Sequence, residues 1–137
     1  MGGIMLGTEL LGTKDAAATI AVRNLKNAKD FYGTKLGLTP ADTREASVAR
    51  FKTGSSSLLI YESPQNAGTN KATAVTWMVD SGEDVEQIVH ALKDRGVRFE
   101  HYDMPDTKRD GDIHVSGRMK MAWFKDPDGN ILCVVSG

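Results

Sequence analysis

The sequence predicts an α+β fold: two βαβββ modules forming a curved mixed sheet with a central cleft, the helices on the outer face. Three observations lead there. Two stretches share one design, Thr19-Ile-Ala-Val22 through Phe31-Tyr32 to Leu36-Gly37-Leu38, and Val75-Thr-Trp-Met-Val79 through Ile88 and Leu92 to Gly96-Val97. Val22 and Gly37 answer to Val79 and Gly96 about 57 to 59 residues later, long enough for each copy to be a complete βα-plus-hairpins unit. In both copies a short β-capable run precedes apolar positions at helical spacing, and in both the helix stops at Gly before further β-capable runs parted by turn residues.

Each element has a local reason. Ala17 to Val22 is β-capable and ends at Asn24, a good N-cap for the helical run Leu25, Ala28, Phe31, Tyr32, Leu36, which Gly37 closes. Strands are expected around Thr39 to Thr43, Ser47 to Lys52 and Ser57 to Glu62, with Gly54-Ser-Ser-Ser as a turn. The polar, breaker-rich stretch Ser63 to Asn70 is a linker. Ala72 to Val79 then opens the second copy, and Val85, Ile88, Val89 and Leu92 form an i, i+3, i+4, i+7 stripe on a helix starting near Ser81 to Asp84, where acidic residues suit the dipole. After Gly96, a strand is expected from Val97 to Asp103, a long polar loop from Pro105 to Gly117, a strand from Arg118 to Phe124, a tight turn at Asp126-Pro-Asp-Gly129 and a last strand from Asn130 to Val135.

The chain has 137 residues, 40% apolar and 26% charged, which is about one soluble domain with a real core. Both modules therefore share one domain over 1–137, the first about 15–63, the linker 64–71 and the second about 72–137. The 17 basic and 18 acidic residues give a net charge of −1 and are scattered, so neither nucleic acid nor an anionic membrane is implied as partner. The lone Cys133 makes no intramolecular disulfide, no apolar run approaches the roughly 18 residues of a membrane span, and the N-terminus lacks the apolar segment of a secretory signal. A cytoplasmic location is expected.

Val22-Arg-Asn-Leu25…Phe31-Tyr32…Leu36-Gly37-Leu38 resembles the opening signature of the vicinal oxygen chelate superfamily, which holds glyoxalases, extradiol dioxygenases, fosfomycin-modifying enzymes and bleomycin-resistance proteins. Trp123-Phe-Lys-Asp126-Pro-Asp-Gly129-Asn130 resembles its closing signature, and the similarity runs from about Ala17 to the C-terminus. The resemblance implies a cleft that, in metal-dependent members, holds one divalent cation through His or Gln on the first strand of a module and Glu on the last. It places those positions at Ala17, Ala74, Leu59 and Cys133, and one-residue shifts bring Ala16, Ala18, Thr73, Val75, Leu58, Ile60, Leu132 and Val134. None is an acidic or imidazole donor of the kind a hard cation needs. No metal and no other cofactor is expected.

Strand parity assigns the faces. Ala18, Ile20, Val22, Val75, Trp77 and Val79 are the bulkier set and should meet the helices, leaving Ala17, Thr19, Ala21, Ala74, Thr76 and Met78 toward the cleft. By the same parity Thr19, Leu59, Tyr61, Thr76, Met78, Met121, Trp123, Ile131 and Cys133 line the cleft, with His114, Arg118 and Lys120 near its edge. His114 lies in the Gly-flanked segment Asp110 to Arg118, which could act as a lid carrying a His and an Arg to a ligand. Such a surface, apolar with a few hydroxyls and rings, suits an aromatic or apolar small molecule held by stacking and burial. Cationic bleomycin suits it poorly, for want of a carboxylate.

Three functions compete on these grounds. The first is a metal-free small-molecule-binding protein that sequesters an aromatic or antibiotic-like compound. The second is a lyase, isomerase or dioxygenase-type enzyme using atypical residues, either His114, Tyr61 and Arg118 for proton transfer or Glu62, Asp112 and His114 as unusual metal ligands. The third is a structural role with a vestigial cleft. Open sheet edges predict a homodimer.

Overall fold

In the computed structural model residues 10–42 and 46–137 are described. The first half contains β1 (Ala18–Val22), α1 (Leu25–Lys29) running into a π-helical turn (Asp30–Lys35), β2 (Thr39–Ala41), β3 (Val48–Thr53) and β4 (Ser56–Glu62). The second contains β5 (Thr73–Val79), α2 (Gly82–Asp94), β6 (Phe99–Glu100), β7 (Lys108–Asp110), β8 (Ile113–Ser116), β9 (Met119–Lys125) and β10 (Ile131–Ser136). The strand expected to reach Thr43 ends, so far as described, at Ala41, and Thr43 itself lies outside the described residues.

Each half closes on itself in the same way. Its first strand pairs in parallel with its last, Thr19 opposite Leu59 in one half and Thr76 opposite Cys133 in the other. The result is two mixed sheets, ordered β1-β4-β3-β2 and β5-β10-β9-β8-β7, with β6 also on β9. The single curved sheet expected from the sequence is thus divided: β1 and β5 approach each other without forming a ladder. The outer edges are protected by their own residues. β2 carries Pro40, and β7 is the exposed, charged run Lys108-Arg109-Asp110, both unfavourable for adding another strand.

The helix ends follow from their caps. Asn24 accepts the amide of Asn27 at 3.1 Å, and the Glu62 carboxylate receives the Leu25 amide at 3.2 Å. At α2, Ser81 and Asp84 form a reciprocal capping box, with Asp84 N to Ser81 Oγ at 3.1 Å and Ser81 N to Asp84 Oδ2 at 3.3 Å. The first helix was expected to be a plain α-helix to Leu36. Instead it widens after Lys29, and the Leu36 amide reaches back five residues to the Phe31 carbonyl at 2.9 Å. Phe31 and Tyr32 both stay buried in this wider turn.

One apolar core draws on both halves. Ile20, Val22, Phe31, Tyr32, Phe51 and Ile60 from the first half pack with Leu92, Val97, Phe124 and Leu132 from the second. The parity reading holds here: Ile20 and Val22 are buried and Thr19 is exposed, while Val75, Trp77 and Val79 pack inward and Thr76 and Met78 stand outward. A smaller cluster of Val85, Val89, Ile113, Ala122 and Val134 lies under α2.

The two signature segments meet in space. Tyr32 Oη donates to Asp126 Oδ2 at 2.7 Å, and Asp126 also accepts the amides of Asp128 and Asn130, each at 2.9 Å, and Asn130 Nδ2 at 2.8 Å. Asn130 Nδ2 also donates to the Ala21 carbonyl at 2.9 Å, and Asn130 Oδ1 accepts the Gly68 amide at 3.3 Å. Asp126 is 5% exposed, so its charge is taken out of water only because donors surround it. The closing turn is therefore a bolt that fastens the second half to the first helix, first strand and linker.

Two segments depart from expectation. Only Phe99–Glu100 of the stretch Val97 to Asp103 is a strand, pairing with Phe124 and Trp123. The expected loop Pro105 to Gly117 contains the hairpin β7–β8 instead, with Gly111 at φ 64 in its turn. Its charged half hid the strand pattern, because β7 is wholly exposed and has no apolar face to show. The turn is tied down by Asp112, which receives Lys93 of α2 at 2.6 Å and contacts His101 at 2.7 Å.

Candidate functional site

The open face of the second sheet is built by alternation. On β9, Ala122 and Phe124 turn inward and bury, so Met121 and Trp123 project the other way. On β10, Leu132 and Val134 turn inward, and Cys133 and Val135 project outward beside Trp123 and Met121. On β5, Thr76 stands opposite Cys133 and Met78 opposite Val135. On β8, His114 stands opposite Met121. One row therefore reads Thr76, Cys133, Trp123, and the next Met78, Val135, Met121, His114.

Trp123 is the centre of this surface and is held on three sides. Its Nε1 donates to Thr73 Oγ1 at 3.2 Å, and Thr73 pairs with Ile131 across the sheet, so the indole crosses β10. That accounts for Cys133 being only 4% exposed although it belongs to the open face. His114 meets the indole edge-on with centroids 4.9 Å apart, and Tyr102 does so at 5.4 Å. The Tyr102 amide donates to His114 Nε2 at 3.0 Å, which leaves that nitrogen unprotonated in the neutral ring. Burial, with His101 and Arg109 adding to it, holds the His114 pKa below the ordinary 6.5. His114 is thus a fully buried strand residue wedged against Trp123, not a side chain on a mobile lid.

The remaining candidates fall elsewhere. Thr19, Leu59 and Tyr61 lie on the open face of the first sheet, with Thr19 beside Leu59 and Tyr61 beside Ala21 and Val48. Arg118 is exposed in the β8–β9 turn, at the far end of β9 from Trp123, so His114, Tyr61 and Arg118 do not form one constellation. The alternative ligand set also disperses. Glu62 caps α1, Asp112 is engaged by Lys93 and His101, and His114 Nε2 takes the Tyr102 amide. Tyr102 was not singled out by the sequence. Its only signal there was adjacency to His101 in a stretch read as an ordinary strand.

The residues at the implied metal positions do not fit a hard divalent cation. Ala17, Leu59 and Ala74 carry no donor atom in their side chains. Burial pushes the Cys133 thiol up to about 11, and the thiol donates to the Val134 carbonyl at 3.6 Å. Among the described residues no three His, Cys, Asp or Glu side chains gather as a metal cluster.

Two βα-plus-hairpin units, each closed by a parallel pairing of its first and last strands, match the architecture that the sequence resemblance implies. The model of the Glyoxalase/Bleomycin resistance protein/Dioxygenase superfamily matches residues 16–134, and the chain belongs to that superfamily. Among solved structures it is similar to a lactoylglutathione lyase from Agrobacterium tumefaciens, with a TM-score of 0.67, 19% identity and coverage of 91% of this chain and 94% of that one. A glyoxalase family protein from Enterococcus faecalis gives 0.67, 22%, 91% and 99% on the same measures. A genomically encoded fosfomycin resistance protein from Listeria monocytogenes gives 0.66, 17%, 89% and 89%. No curated protein matches the chain by sequence. At these identities the likeness is one of fold, and no helix among the described residues is long and apolar enough to cross a membrane.

Proposed function

We propose that the chain is a metal-free small-molecule-binding protein, a single cytoplasmic domain that holds an aromatic or antibiotic-like compound against the face around Trp123 without transforming it. The observation that carries this reading is the replacement of every implied ligand position by Ala17, Leu59, Ala74 and a protonated, covered Cys133. A family fold kept without its ion-binding donors keeps a surface that can bind but has lost the Lewis acid.

The chemistry of the face agrees. Trp123 is fixed by Thr73, Tyr102 and His114, so a ligand stacking on its free area does not have to order it first. Met121 is half-buried and Met78 is 85% exposed, and flexible thioethers adapt to ligands of varied outline. An enzyme is less well supported, because the polar groups named for it are spread over separate elements, and Glu62, Asp112 and His114 are already engaged.

A homodimer is also proposed. Its support is the exposed Met78 and Met119 rather than the outer edges, which Pro40 and the charged β7 already protect. Sedimentation at micromolar concentration tests it, and monomer alone would refute it.

A thermal-shift screen against aromatic and antibiotic-like compounds tests the binding reading. A ligand at a hundredfold excess over its Kd stabilises by about 2.7 kcal/mol. At least one such compound should raise the melting temperature of chelator-treated protein. If none does, and stabilisation appears only with an added divalent ion, the metal-free reading fails.

A further inference from the structure

We propose a second ligand site, on the helix side of the molecule, that takes a single-ring aromatic or short-chain hydrocarbon. A cavity of about 270 Å³ lies at the seam between the halves. Leu36 and Leu38 reach it from the end of the first helix, Trp77 and Val79 from β5, and Ile88 and Leu92 from α2. The two surfaces meet at Met78, which also lines this pocket, but Trp77 and Val79 project from β5 opposite to Thr76, and Trp123 takes no part in the lining.

The walls come from both halves and are held apart. The π-helical turn and Gly37 at φ 79 place Leu36 and Leu38. Trp77 is pinned by its Nε1 bond to Thr53 Oγ1 at 2.9 Å and stacks on Phe124 with centroids 6.3 Å apart and planes at 17°. A rigid aromatic wall anchored across the seam hinders collapse, so the space persists.

Size and chemistry name the occupant. None of the ten lining residues is charged, and the one hydroxyl, Thr53, already accepts the indole N–H. The pocket opens to solvent on one side, but water inside it finds few polar partners, and apolar cavities of roughly 150 Å³ in other proteins take benzene. The volume here admits one ring with a short substituent. A protein segment is a poor match, because an interface takes roughly 20–30 residues a side.

The chain has two tryptophans, one at each site, and they separate this proposal from the one above. In ¹⁵N-labelled protein titrated with toluene, the Trp77 indole N–H resonance should shift saturably while that of Trp123 stays in place. Filling the cavity with Ile88→Phe should raise the toluene Kd at least tenfold, and Leu38→Phe serves if that variant does not fold. A shift at Trp123 instead of or equal to that at Trp77, a response that does not saturate, or an unchanged Kd in a folded variant would overturn the proposal.

Discussion

At the scale of single residues, the same side-chain types do different work according to their partners. Trp123 is half-buried and braced, so replacing it with Ala removes both burial and ring contacts from a stacked ligand. Affinity for a hit from the aromatic screen should fall at least tenfold by titration calorimetry, roughly 1.4 kcal/mol or more. Tyr32 acts on the fold. Its hydroxyl serves the buried Asp126 carboxylate, so Tyr32→Phe should destabilise by about 1–3 kcal/mol in urea unfolding. Burial first, and then the Asp126 carboxylate, raise the Tyr32 pKa far above 10.0. In the unfolded chain the phenol ionises near 10 and in the folded one it does not, so stability falls as pH rises above that value, and Tyr32→Phe should flatten the fall.

His114 works in the opposite sense. Burial depresses its pKa below 6.5, so the unfolded chain takes up the proton first. Stability should be complete above pH 6.5 and decline as pH drops through the folded value, a slope that His114→Gln should reduce when urea midpoints are compared across that range. The sequence offered His114 as a functional residue but could not show its surroundings. Tyr102 and Trp123 reach it only through strand register, and register is not written in any one segment.

At the scale of elements, the legible ones were those with a strong period and a cap. α2 is capped by Ser81 and ends before Gly96 as its stripe and breakers required, and both opening strands show the expected faces. Elements without an apolar face were hidden: β7 is charged on every residue, and its partner β8 was absorbed into the same polar stretch. The π-helical turn was also invisible, because Leu25, Ala28, Phe31, Tyr32 and Leu36 satisfy a plain α-helical reading nearly as well. The linker hid one exacting position. A Cβ on Gly68 would fall 1.9 Å from the Asp128 carbonyl oxygen, and its φ is 67. Gly68→Ala should therefore cost roughly 2–4 kcal/mol, combining a left-handed backbone with a backbone clash, as read from the urea midpoint.

At the scale of the whole molecule, the internal repeat was readable because both copies must bury the same face of a strand on a helix. The separation into two sheets was not, since whether β1 and β5 form a ladder depends on how the halves are set against each other. The core they share and the Tyr32–Asp126–Asn130 bolt provide that setting. The signatures that mark the family at the two ends of the chain thus have a structural reason to occur together. They fasten the halves, and they persist in a chain whose implied ion-binding positions are alanine, leucine and cysteine.

The central claim, binding without metal, is tested most directly by one affinity. The Kd of the strongest screen compound is measured with protein stripped by EDTA, then again after one equivalent of Mn²⁺, Ni²⁺ or Zn²⁺. The account predicts the same value in all four samples, because among the described residues no side chains gather to hold a hard ion. Binding that disappears on stripping and returns with one of these ions would contradict it.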